Sequence, residues 1–145
     1  MVFDFSLYKV KIRDNEFTTP DGKKYPNTAA ISFFDKNRKE LSYIELGYTD
    51  ANNLYELIKK GEIINLDYCY IEEFSLSKYR QINNLEKEEL VAIKAFTANN
   101  SVFDAIELTD FSFGIFQNGN VSFQNVGFIH GGVNYTSSVF EDGKV

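Results

Sequence analysis

One cysteine, Cys69, cannot close an internal disulfide or assemble a multi-thiolate metal site. One histidine, His130, has no second imidazole to share a metal with and no nucleophile placed beside it by spacing. We expect an exposed structural His130 and a buried, inert Cys69 thiol. Walker, Rossmann, zincin and nucleophile-elbow motifs are all missing, and "GGVNYTSS" lacks the G-G-x-G-x-D spacing of calcium-binding β-rolls. The expectation is a protein that is not an enzyme, with no catalytic, cofactor-binding or metal-ligating residues. No stretch approaches the ~20 apolar residues of a membrane span. "MVFDFSLYKVKIRD" has no basic start followed by an apolar run. A soluble, cytoplasmic protein with no membrane contact is expected. Positive charge is scarce: 15 Lys and Arg stand against 21 Asp and Glu, for a net charge of −6. Such a surface repels nucleic-acid backbone, so no direct nucleic-acid binding is expected, but a basic protein partner stays open. Tryptophan is absent and proline occurs only twice.

Phenylalanine and tyrosine are abundant, at 14 and 9. Aromatics in that excess suit strands. Their spacing is the informative feature. In "INLDYCYIEEFSLSK" the apolar or small residues fall at 64, 66, 69, 71, 74 and 76, with intervals 2, 3, 2, 3, 2. On a helix these positions would scatter around the circumference. On one strand they would change face, because side chains alternate with period two. A face that flips every five residues requires a bend every five residues.

The pattern recurs in FTANN, SVFDA, IELTD and FSFGI, with inward pairs Phe96/Ala98, Ser101/Phe103, Ile106/Leu108 and Phe111/Phe113. Asn118 interrupts it. VSFQN and VGFIH restore it with Val121/Phe123 and Val126/Phe128, and Gly131-Gly132 intervene before VNYTS and SVFED. Ile64, Leu66, Cys69, Ile71, Phe74, Leu76, Phe103, Leu108, Phe113, Phe123 and Phe128 should therefore share one core. Truncating Phe113 should then cost as much as losing any buried ring. F-x-x-G-x-V also recurs every twelve residues from Phe116. That period admits another reading, since "QNGN" and "EDGK" contain hairpin dipeptides. The alternative is an antiparallel β-meander in the C-terminal third.

"INLDY", "CYIEE" and "IELTD" resemble the blocks of the pentapeptide-repeat family, and "NGNVSFQNVGF" resembles its more divergent arrays. The resemblance covers about 64–78 and 96–145. It departs from the family pattern where Phe74, Phe96, Phe111 and Phe116 take a position usually held by Ala, Cys or Ser. The resemblance implies a mainly β chain wound as a right-handed quadrilateral β-helix, four blocks per coil and about three coils. Stacking at ~4.8 Å per coil gives a rod of about 15 Å.

Residues 1–62 do not repeat. "FDFSLYKVKI", "NTAAISFFD" and "ELSYIELGY" read as strands. "TDANNLYELIKKGE" reads as a helix with Asp50 as N-cap, Leu54, Leu57 and Ile58 as its apolar face and Gly61 after its end. This α+β unit should cap the first coil. Residues 63–145 then form the β-helix, with an excursion at 79–95.

Two classes of function follow. The first is a protein-interaction or scaffold module. The second, the alternative, is an acidic charge mimic that inhibits or regulates a nucleic-acid-binding protein such as a topoisomerase, as the resemblance implies for its best-understood members. Asp67, Glu72, Glu73, Asp104, Glu107 and Asp110 are the candidate acidic surface. The repeat is still in register at Val145, so its last coil needs a cap. Either the chain continues further or a second molecule supplies it. We expect a homodimer joined through Val133, Tyr135, Phe140 and Val145, a mode of pairing the resemblance also implies.

Overall fold

A computed structural model describes residues 5–117 and 121–140. The chain is mainly β. Strand β1 (Leu7–Arg13) is followed by the short pair β2 (Phe17–Thr18) and β3 (Lys24–Tyr25), then by β4 (Asn27–Phe34) and β5 (Glu40–Asp50). β4 pairs antiparallel with both β1 and β5. Strict alternation sends Ala29, Ile31 and Phe33 of β4 to one face, where all three are buried. The β4–β5 turn is tied by the Asp35 carboxylate, which accepts from the N–H groups of Asn37 and Lys39.

Helix α1 (Ala51–Lys60) has the caps its sequence predicts. Asp50 Oδ1 accepts from Asn53 N at 3.0 Å, and Gly61 closes the helix at φ 69°. Leu54, Tyr55 and Ile58 are buried.

The rest of the chain alternates short strands with sharp bends. In order these are β6 (Ile64–Asn65), β7 (Cys69–Glu72), helix α2 (Leu76–Ile82), β8 (Val91–Ile93), β9 (Phe96–Thr97), β10 (Val102–Ala105), β11 (Thr109–Asp110), β12 (Gly114–Phe116), β13 (Val121–Ser122), β14 (Gly127–His130), β15 (Val133–Asn134) and β16 (Val139–Phe140). Among the described residues every ladder between these strands is parallel: β6–β9–β13, β7–β10–β14, β11–β15 and β8–β12–β16. The antiparallel meander therefore does not hold for the C-terminal third. Its hairpin dipeptides lie in residues 118–120 and 141–145, outside the described residues.

Several bends carry non-glycine residues at positive φ, including Tyr68, Glu73, Asn100, Phe113, Asn125 and Ser137. Asn adopts this conformation readily; Tyr and Phe do so at a cost.

The ladders align the inward residues in rows. Ile64, Phe96 and Val121 match, as do Ile71, Phe103 and Phe128. Ile93, Phe116 and Phe140 form a further row. Ile64, Leu66, Cys69, Ile71, Phe74, Leu76 and Phe103 are buried in one core, with Phe123 and Phe128 packed against it.

Two expected core residues are elsewhere. Leu108 is 45% exposed and its neighbour Ile106 is 76% exposed. Phe113 is half-buried beneath the Arg80 guanidinium, 5.7 Å from Cζ to the ring centroid. The reason is an insertion. Phe103 pairs with Ile71, while Asp110 bridges to Ser75. Residues 106–108 are thus extra on the second pass and bulge outward. Beyond them the five-residue pattern resumes three residues later, as Thr109/Phe111 and Gly114/Phe116. Gly131-Gly132 is the corresponding insertion on the third pass, since Thr109 pairs with Val133.

The excursion is also displaced from 79–95. Leu76 is buried at an inward position and simultaneously opens α2, and the chain is back in a ladder by Val91. Val91 and Ile93 are alternate buried residues, the signature of a strand.

Residues 1–62 and the later strands share one mixed sheet of order β1-β4-β5-β7-β10-β14. β5 joins β7 in parallel, with Gly47 opposite Cys69. The other face of this sheet has its own core, where Ala29, Ile31, Phe33 and Leu46 meet Tyr70, Val102 and Ile129. The five-residue pattern reads those last three as outward. They are buried because the antiparallel strands curl over them. Among the described residues no helix is long and apolar enough to cross a membrane.

Candidate functional site

Three groups of side chains merit comparison. The first is where the two edges of the mixed sheet meet. Tyr8 on β1 and His130 on β14 belong to opposite edge strands, yet the Tyr8 hydroxyl lies 2.7 Å from His130 Nδ1. Asp104 on β10 sits between them and is only 9% exposed. Its carboxylate accepts from Tyr8 at 2.9 Å, from the Tyr70 hydroxyl at 2.5 Å, and lies 3.0 Å from His130 Nδ1. Burial pushes the Tyr8 and Tyr70 phenols up, and the hydrogen bond to Asp104 and its charge push them further. Both phenols are neutral donors at physiological pH, not nucleophiles. His130 is exposed, as expected, but it is paired with Asp104 and Tyr8. The arrangement satisfies a buried carboxylate and closes the curl of the sheet. Cys69 lies in the other core, and burial pushes its thiol up to about 12, so it stays protonated.

The second group is the candidate acidic surface. Only part of it is surface. Asp104 and Asp110 are both buried. Asp67 is half-buried and accepts from Asn99 N at 2.8 Å. Glu72, Glu73 and Glu107 line a surface cavity of about 630 Å³, together with Ile106 and Leu108 of the insertion. Glu73 Oε1 accepts from Ile106 N at 3.0 Å and so anchors that insertion. Among the described residues no group of three or more His, Cys, Asp or Glu side chains is placed to hold a metal ion.

Asp110 is an internal acceptor. Its Oδ2 receives Ser77 N at 2.9 Å and Ser77 Oγ at 2.5 Å, and its Oδ1 receives Ser112 N at 3.0 Å. Burial alone would raise its pKa, but the donors on Ser77 and Ser112 outweigh it and hold the carboxyl below the usual range. A depressed folded-state pKa means stability that is present above the unfolded value of about 3.9 and lost as pH falls through the folded value. Asp110→Asn should therefore be less stable than the parent at neutral pH, and the gap should narrow in acid. Urea midpoints measured from pH 7 down to pH 3 check this; a constant gap would contradict it.

The third group is the predicted interface. Phe128 stacks on Phe103 at 5.4 Å and 20°, Tyr135 on Phe111 at 5.2 Å and 9°, and Phe140 on Phe116 at 4.9 Å and 8°. Phe123 stacks on Phe96 at 5.4 Å and 29°. The lower ring of each pair is fully buried; the upper ring is only half-buried. Val133 is half-buried at the same level. The structure thus brings Val133, Tyr135 and Phe140 together and adds Phe123 and Phe128 to them. Val145 lies outside the described residues.

Tyr8 and Tyr70 are the site residues that the sequence pattern does not single out. Tyr70 holds an outward position in the five-residue pattern, and Tyr8 lies in the segment that does not repeat.

No family model matches the chain, and neither a curated protein nor a solved structure matches it.

Proposed function

We propose that residues 64–117 and 121–140 wind as a right-handed quadrilateral β-helix of the pentapeptide-repeat kind. On this reading the protein is a non-enzymatic interaction module that docks through its third coil. The parallel ladders and the matched rows support the winding. One observation carries the function: four aromatic rings of the third coil stand half-buried above four that are wholly buried. Their stacked geometry offers flat apolar faces to a further aromatic layer. A second copy of the chain presents the same rings, so an isologous pairing through Tyr135 and Phe140 is self-complementary. The charge-mimic alternative has less support, because Asp104 and Asp110 are buried acceptors rather than exposed charges.

Light scattering across a concentration series tests this. A dimer is expected whose dissociation constant barely changes with salt, because its contacts are apolar. Phe140→Asp and Tyr135→Lys should each give a folded monomer. A parent chain that stays monomeric at high concentration would refute the pairing, and steep loss of self-association with salt would refute its apolar character.

A further inference from the structure

Ile106 is the most exposed large apolar side chain among the described residues, at 76%, and Leu108 beside it is 45% exposed. A single exposed aliphatic residue is ordinary. This pair is different, because a fixed backbone holds it out. Glu73 Oε1 accepts from Ile106 N at 3.0 Å, and Thr109 N donates to Gly132 O at 3.0 Å. Gly131 N donates to Ala105 O at 3.0 Å, which ties the insertion of the third pass against that of the second. That upper insertion is Gly131-Gly132, so it has no side chain to lay over the lower one. Ile106 and Leu108 are therefore presented to solvent on a rigid support, and little order has to be imposed when a partner packs on them.

The same two side chains form one wall of the surface cavity of about 630 Å³, which reaches to the start of α1 and to the bend between β7 and α2. Four carboxylates line it, from Asp50, Glu72, Glu73 and Glu107, against one ammonium, from Lys78. Two of the four are held in place by backbone donors, Asp50 by Asn53 N and Glu73 by Ile106 N. Among the described residues the acids do not converge as a metal site. They form a negative rim around an apolar patch. Exposed apolar patches with polar rims mark sites of protein docking, and the sign of the rim sets the sign of what it receives.

We propose that the 106–108 insertion and its cavity dock a segment of another protein in which an apolar side chain is flanked by lysine or arginine. The apolar side chain packs on Ile106 and Leu108, and the cations meet Glu72, Glu73 and Glu107. A small cation would use the carboxylates and leave the aliphatic pair in water. An uncharged apolar segment would cover the pair and desolvate the carboxylates without a counter-charge. A segment with both features answers both. The insertion itself then has a use, since it interrupts the repeat and adds nothing to the core. The site shares no residue with the third-coil rings, and its contacts depend on salt where theirs do not.

The test is a titration of the isotope-labelled full chain with a synthetic peptide of alternating leucine and lysine, followed by ¹H–¹⁵N spectra. Saturable shifts are expected at the backbone amides of Glu73, Ile106, Glu107 and Leu108, with affinity falling about tenfold between about 50 and 300 mM salt. The same shifts are expected in Phe140→Asp, which separates this site from the third-coil face. Ile106→Ser and Glu107→Gln change exposed side chains, so both should fold as the parent does, and each should weaken the peptide about fivefold. Absence of saturable shifts at these amides, or shifts confined to the third coil, would overturn the site. Unchanged affinity in both variants would overturn the assigned contacts. Equal binding of a peptide with glutamate in place of lysine would overturn the charge of the partner, and equal binding of one with serine in place of leucine would overturn its apolar character.

Discussion

Replacing Phe111 by alanine should destabilise the protein by about 3–5 kcal/mol, while the same change at Phe113, two residues on, should cost only about 1 kcal/mol. Phe111 is fully buried and packs against Phe74, Phe96, Phe103, Phe116, Phe123 and Tyr135, at centroid distances from 5.2 to 6.1 Å. Its removal leaves a cavity that several ring faces cannot collapse to fill. Phe113 sits at a bend with φ 55° and covers the Arg80 guanidinium, so its loss forfeits one cation–π contact and little core. Urea unfolding of both variants, read as shifts in midpoint at constant slope, measures the difference. Similar costs at the two positions would mean that residues 106–108 are not an insertion and that Phe113 points inward after all.

Gly131→Ala should cost more than about 3 kcal/mol, or prevent folding at physiological temperature. A Cβ at this position would overlap the Glu107 carbonyl group. The obstacle is backbone, and Gly131 N is itself bound to Ala105 O at 3.0 Å, so neither side can give. The two insertions are packed directly on one another, and glycine is what permits it. Gly132 is the control. Its φ is 87°, but an added Cβ would meet only Leu108 Cδ2, at 4.0 Å. Gly132→Ala should cost about 1 kcal/mol of backbone strain. Thermal midpoints of the two variants separate a steric requirement from a conformational one. A Gly131→Ala protein as stable as Gly132→Ala would show that the insertions do not touch.

The five-residue pattern was legible because it is local. Each inward pair and the bend after it lie within one short block, and a parity change every five residues excludes both a helix and a flat strand. Helix α1 was legible for the same reason: Asp50, the apolar face and Gly61 are adjacent signals. Val133, Tyr135 and Phe140 were legible as members of the last repeats, and they do lie at one level.

What sequence could not place depends on how one pass of the chain lies against the next. IELTD fits the pattern as well as any block, yet Ile106 and Leu108 are exposed, because only the pairing of Phe103 with Ile71 and the bridge of Asp110 to Ser75 reveals three extra residues. Asp104 and Asp110 look like surface acids in a chain of net charge −6; they are buried because hydroxyl and amide donors distant in sequence converge on them. Tyr8 and His130 are 122 positions apart and meet only because the sheet curls back on itself. The sequence alone determined the inward residues of most blocks, the mainly β character and α1, through interactions between near neighbours. The tertiary structure decided the phase of the repeat after each insertion, the burial of outward residues such as Tyr70, Val102 and Ile129, and the pairing of buried charges. Those depend on long-range contacts, whose energy is set by what lies opposite a side chain rather than beside it.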